Sequence, residues 1–283
     1  MSTALVSVAT SDRARRTLEV TAAVAVWIAV GLAFHMTVSA YQLTGLVLIV
    51  LFQIVVRRQP LRALWVRDAP EFWLDARGWL LAALLALCPL FHVVKDVRTG
   101  ATVLRTLAHL VGVAGAFPAA YALRKFQPAT ARALLGCLAI PGVVGILMQS
   151  AGAIASHTLA HRTLSERLWV GVDSFFLYIP IVFVFEEVSF RGALDSHIHH
   201  QGEPHGWLTA LWVSILWGLW HVPVTLGMSP SLPRLLANNV IVCCIIGVPF
   251  SLWWRRCGNL AVPGVTHALI DAVRNALLVI NFR

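Results

Sequence analysis

Residues 168–191 read Leu-Trp-Val-Gly-Val-Asp-Ser-Phe-Phe-Leu-Tyr-Ile-Pro-Ile-Val-Phe-Val-Phe-Glu-Glu-Val-Ser-Phe-Arg. Most of this stretch is apolar, and it then turns charged at Glu186, Glu187 and Arg191. A helix that crosses the hydrocarbon core of a bilayer needs about 20 such residues. The stretch therefore predicts a membrane-spanning helix that carries ionisable groups into apolar surroundings. Comparable apolar runs lie at 18–38, 41–56, 79–94, 102–123, 132–155, 207–227, 234–254 and 259–281. The runs at 41–56 and 79–94 are short, so the expected fold is an all-α polytopic membrane protein, a bundle of about eight or nine transmembrane helices.

Composition agrees. The chain is 58% hydrophobic and 12% charged, with a mean hydropathy of +0.76. A soluble domain carries about 25% charged residues. The runs are continuous, whereas the strands of a membrane barrel alternate over about ten residues. The net charge of +9 is no nucleic-acid signal, because the basic residues fall mostly between the runs. If nine helices alternate, Arg13, Arg15, Arg16, the 57–77 loop, Arg124, Lys125, Arg191, Arg255 and Arg256 share one side, read as cytoplasmic. The loop arginines Arg57, Arg58, Arg62, Arg67 and Arg77 are expected on anionic headgroups.

Cys88, Cys137, Cys243, Cys244 and Cys257 form no CxxC pair and read as small packing residues. The run from Thr21 to Val38 is longer than a signal-peptide core of about 7–15 residues, so it reads as a retained first helix. No internal repeat is visible. The chain divides into N-terminal helices, 1–165, and a C-terminal set, 166–283, that holds the chemistry-bearing residues.

Adjacent glutamates at the end of an apolar run are expensive. A charge at a helix centre costs about 2.5–3.5 kcal/mol on insertion scales, and such residues are usually functional. Glu187 and Arg191 are i, i+4 and can pair, while Glu186 faces elsewhere on a regular helix and is left free to act as a base. The next run carries Trp217 and His221, again i, i+4, and the last carries His267 and Asp271 at the same spacing. A lone histidine on an apolar face is more often a core residue, and a His/Asp pair can be a plain helix-end hydrogen bond. Depth argues otherwise. Glu186 and His221 lie almost equally far from Glu203 at the intervening turn, about 26 Å at 1.5 Å per residue. His267 reaches that level if the polar stretch 191–205 projects beyond the membrane. His197, His199, His200 and His205 cluster in the same stretch and read as an exposed, adventitious metal binder.

This series resembles the CPBP family of CAAX proteases and bacteriocin-processing enzymes, whose eukaryotic member is the type II CAAX prenyl endopeptidase. The family is marked by EExxxR, FxxxH and HxxxN or HxxxD on successive membrane helices. Here they stand as Glu186-Glu187…Arg191, then Trp217…His221 with Trp replacing Phe, then His267…Asp271. The swap keeps an aromatic wall. The resemblance covers about residues 180–275 and implies peptide-bond hydrolysis within the membrane. It implies that Glu186 with His221 activates water, and that His267 with its third-motif partner stabilises the oxyanion. Ionised Asp271 has no proton to donate, so its part reads as orienting His267. The catalytic set is then Glu186, Glu187, Arg191, His221, His267 and Asp271.

The resemblance leaves two chemistries, since the family has been described as metalloproteases and as glutamate proteases. Zinc would take Glu186, His221, His267 and Asp271, a shell with an open position. The chain has no HExxH, the motif that sets ligands and base on one helix. The metal-free, glutamate-type mechanism is therefore favoured, with no cofactor. Expected partners are membrane lipid and a peptide or membrane-protein substrate, in a bacterial cytoplasmic membrane. Two rivals are a non-catalytic immunity or scaffold protein of the same fold and a proton-coupled transporter. No motif carboxylate is lost, against the first. No polar set is read in residues 1–165, against the second.

Overall fold

In a computed structural model, which describes residues 3–69, 71–155, 159–199, 206–226 and 231–278, every apolar run becomes a helix. Eight are long and apolar enough to cross a membrane: α1 Asp12–Ala33, α2 Val38–Val56, α3 Ala76–Thr99, α4 Val103–Arg124, α5 Pro128–Gly152, α6 Leu164–Ile198, α7 Trp207–Thr225 and α8 Leu232–Cys257. A ninth, α9 Ala261–Leu277, is 17 residues long. The protein is an all-α polytopic membrane protein. No β-strand occurs among the described residues, only two isolated bridges.

Local chemistry explains the helix ends. Thr37, Asp75, Thr102 and Thr163 sit in extended backbone at N-caps, and each side chain accepts an N–H from the first turn. Thr163 and Glu166 complete a reciprocal capping box. Gly100 and Gly258 close α3 and α8 with φ of 69° and 62°, a left-handed conformation that glycine adopts without strain. Asp75 also receives the guanidinium of Arg124, and that hydrogen bond holds its carboxyl down at about 2. It thereby joins the start of α3 to the end of α4.

Contacts between connecting segments fit an alternating direction for the helices of the described residues. Val66 bridges Asn259, and the Arg67 N–H donates to the Gly258 carbonyl, so the 57–75 loop meets the α8–α9 turn. At the opposite end Leu159 bridges Leu278. Arg58 and Arg77 of the 57–77 loop are exposed, as headgroup contact requires. Arg57 and Arg67 are not free for headgroups. Arg57 donates to the Gly192 carbonyl at 2.8 Å and Arg67 to the Arg255 carbonyl at 2.9 Å. Burial pushes Arg57 down to about 10.

The core lies around α6, which packs against α9, α4 and α3. α6 and α7 each bury 50% of their apolar stretch, against 44% for α4, 39% for α8 and 22% for α3, which marks α6 and α7 as the interior. Two close approaches need glycine. A Cβ on Gly115 of α4 would stand 2.8 Å from the Pro180 carbonyl of α6, and one on Gly218 of α7 would stand 2.7 Å from the Val240 Cα of α8. Small residues at such crossings let backbones approach where lipid offers no hydrophobic drive.

α6 departs from the regular helix assumed from its sequence. Phe183–Asp195 is π-helical, and all thirteen residues are buried. π-turns are usually single and frequently mark functional sites. The stretch 191–198 continues α6 and does not project as an exposed polar segment: Arg191 and Asp195 are fully buried and the His197 Nε2–H donates to the Glu19 carboxylate at 2.7 Å. His197 is therefore no exposed metal binder, because α1 covers it. Glu203 at the turn, with His200 and His205, lies outside the described residues.

Candidate active site

The π-helical segment of α6, the end of α7 and the middle of α9 bring Glu186, Glu187, Arg191, His221, His267 and Asp271 to one buried centre. The two glutamates divide between two histidines. His221 Nε2 stands 3.9 Å from Glu186 Oε2, and His267 Nδ1 stands 2.8 Å from Glu187 Oε1.

Around Glu186 the geometry is that of a gap held open. The Trp217 indole N–H donates to Glu186 Oε2 at 3.0 Å. His221 Nδ1 lies 2.9 Å from the Trp217 carbonyl, an acceptor only, so the Nδ1 proton goes there. That leaves Nε2 as the lone-pair nitrogen of neutral His221, facing Glu186. At 3.9 Å the two acceptors are too far apart for a direct bond and suitably spaced for one water between them.

Around Glu187 the groups are locked. Glu187 and Arg191 are both fully buried, and Arg191 Nη1 lies 3.4 Å from Glu187 Oε1. The guanidinium also sits 4.2 Å over the Trp217 ring and 5.4 Å from the Phe250 ring. Gly247 of α8 makes room for it, since a Cβ there would fall 2.8 Å from Arg191 Nη2.

Asp271 stands differently from the sequence expectation. Its Oδ2 is 3.9 Å from His267 Nε2, beyond a hydrogen bond, and its Oδ1 pairs with Arg274 at 2.8 Å. The residue that holds His267 is Glu187, reaching across from α6. Two participants, Arg274 and Cys243, and one role, that of the Trp217 indole, escaped the sequence reading. Arg274 is i, i+3 from Asp271, a legible spacing. Trp217 serves as a hydrogen-bond donor as well as an aromatic wall. Cys243 lies 3.7 Å from His221 Nδ1, which no spacing reveals.

Zinc at this centre needs three or four donors converging on one point. Among the described residues, the one set of three ligand atoms within 4.8 Å of one another is Cys88, His92 and Asp173, away from this centre. Glu186, His221, His267 and Asp271 do not converge in that way, and Asp271 Oδ1 is paired with Arg274. This arrangement does not fit the metal. The Asp271→Asn protein is therefore expected to keep turnover within about tenfold of wild type, because His267 retains Glu187. A loss beyond a hundredfold with normal folding would give Asp271 a direct role.

The N-terminal half also holds a polar set that the sequence reading missed. His92 and Asp96 of α3 and His109 of α4 are buried or nearly so, with Asp96 paired to His109 at 2.7 Å and to Arg105 at 3.1 Å. It does not mirror the C-terminal centre, since its other carboxylate, Asp173, belongs to α6 itself.

Against known proteins, residues 168–273 match the family model described as type II CAAX prenyl endopeptidase Rce1-like. No curated protein and no solved structure matches the chain. The matched residues begin in α6 and end in α9, and contain Glu186, Glu187, Arg191, Trp217, His221, His267 and Asp271, while Arg274 lies one position beyond them. Over residues 168–273, a little over a third of its length, the chain is similar to the type II CAAX prenyl endopeptidase Rce1-like family.

Proposed function

We propose that the chain is an intramembrane endopeptidase that hydrolyses a peptide bond with water activated by Glu186 and His221. The observation that carries this reading is the 3.9 Å gap between Glu186 Oε2 and His221 Nε2, two acceptors on different helices with their other partners fixed. A water in that gap donates one O–H to each acceptor and turns its lone pairs outward. Attack on the scissile carbonyl passes a proton to Glu186, the group placed to return it to the leaving amine. As the carbonyl oxygen gains charge it needs a preorganised donor, worth about 3–4 kcal/mol. His267 supplies Nε2–H when protonated, with Nδ1–H anchored on Glu187. Glu187 and Arg191 act as positioning residues, because each reaches the reacting atoms only through His267 or Trp217.

The indole is the part specific to this chain. Trp217→Phe keeps the aromatic wall and deletes the N–H that aims Glu186. Hydrogen bonds to charged groups contribute about 1.5–3 kcal/mol. Turnover is expected to fall about tenfold to a hundredfold, with KM and melting temperature near wild type. Unchanged turnover would show that Glu186 is positioned without the indole. The reading as a whole is tested by cleavage of a peptide panel, prenylated and unprenylated, with detergent-purified protein.

A further inference from the structure

The polar groups of α3, α4 and α6 outside the active centre form a second built site. Cys88 and His92 are one turn apart on α3 and present their side chains to Asp173 of α6. Cys88 Sγ lies 3.5 Å from Asp173 Oδ1, and His92 Nε2 lies 3.2 Å from both carboxylate oxygens. All three donor atoms fall within 4.8 Å of one another. A tetrahedral zinc shell with bonds of about 2.0–2.3 Å sets nitrogen about 3.4 Å from oxygen and sulfur about 3.6 Å from oxygen. Both spacings to Asp173, 3.2 Å from His92 and 3.5 Å from Cys88, lie within a few tenths of an ångström of those of a ligand shell.

The surroundings support the same conclusion. Ionisable residues this far inside membrane helices are costly and ordinarily answer to a partner. The His109 ring lies 5.2 Å from the His92 ring, and His109 is held through Nδ1 by Asp96, itself fixed by Arg105. Thiolate, imidazole and carboxylate together suit a borderline divalent ion more than calcium or magnesium.

We propose that Cys88, His92 and Asp173 bind one divalent transition-metal ion, zinc by its ligand chemistry, with the fourth position open. Binding releases the Cys88 proton to solvent and leaves thiolate, neutral imidazole and carboxylate as ligands. The ion clamps α3 to α6, the helix that carries Glu186 and Glu187. This site is independent of the proteolytic reading and would stand if that reading fell.

The test uses the full chain in detergent, loaded with Co2+ and freed of excess by gel filtration. Wild type is expected to retain one Co2+ per chain and to show a near-ultraviolet thiolate-to-cobalt absorption band. Cys88→Ser should lose the band, Asp173→Asn should bind Co2+ at least tenfold more weakly, and Glu186→Gln should match wild type. No retained Co2+, or an unaltered band in Cys88→Ser, would overturn the proposal. If the variants fail to fold, alkylation of wild type decides: Zn2+ should slow modification of Cys88 by N-ethylmaleimide at least tenfold and leave Cys244 unaffected. An unchanged Cys88 rate overturns the site as well.

Discussion

Glu186→Gln is expected to lower peptide hydrolysis by about 10²–10⁴-fold, the usual contribution of a positioned acid–base group, while expression and melting stay at wild-type levels. Among the described residues the side chain has no Lys or Arg partner within 3.5 Å; it accepts the Trp217 N–H and faces His221 across 3.9 Å. A glutamine oxygen accepts the same indole proton, so packing around Trp217 is retained. What disappears is the group that takes a proton from water. Turnover above a tenth of wild type in the variant would remove Glu186 as the base. Rates should be read beside a thermal melt of the same preparation, so that loss of activity is not confused with loss of fold.

Removing either member of the Glu187–Arg191 pair should act first on folding. Both side chains are fully buried, and Glu187 Oε1 serves Arg191 and His267 together. Breaking a buried pair by deleting one partner typically costs about 3–5 kcal/mol, because the other charge is stranded. Glu187→Ala leaves Arg191 with only the faces of Trp217 and Phe250 and leaves His267 without its Nδ1 acceptor. Arg191→Ala leaves a buried carboxylate beside an imidazole. Both variants should give lower folded yield, a lower melting temperature and little activity. If both express and melt like wild type, the pair is not what holds this centre together. In the native chain the pair, the two aromatic faces and His267 offset part of the cost of burial, while Glu187 Oε2, Arg191 Nε and Arg191 Nη2 have no hydrogen-bond partner among the described residues.

Much of this was legible along single helices. Among the described residues the apolar runs located the eight long helices and the shorter α9, because a bilayer demands length and hydropathy. The i, i+4 spacings gave Glu187 to Arg191 and placed Trp217 with His221. What failed was whatever depended on partners from another helix. His267 looked paired with Asp271 through spacing alone, yet Glu187 wins it by reaching 80 positions along the chain. Asp173 read as one more residue in an apolar run because its partners, Cys88 and His92, sit on α3. The polar stretch 191–198 looked like a solvated end. Its charges are instead satisfied internally, Asp195 by Arg255 at 2.6 Å and His197 by Glu19. Polarity in a sequence shows that a group needs a partner, and does not show whether water or another helix supplies it.

The π-helical stretch was also out of reach. A regular α-helix was assumed from Leu168 to the glutamates, and spacing arguments inherit that assumption. The Glu187–Arg191 contact survives in the wider helix at 3.4 Å, long for a charged pair. The same local winding sets Glu186 toward α7 and Glu187 toward α9, so the one segment serves both histidines.

The central claim is that peptide hydrolysis at this centre runs on Glu186, His221 and water without a metal ion. The most direct measurement is turnover of a cleaved peptide by the Cys88→Ser protein before and after exhaustive chelation, with zinc content determined on the same samples. Using that variant removes the separate metal site from the comparison. The account predicts cleavage that persists after chelation in protein with less than stoichiometric zinc. Cleavage that vanishes with the chelator and returns on adding one equivalent of zinc would contradict it.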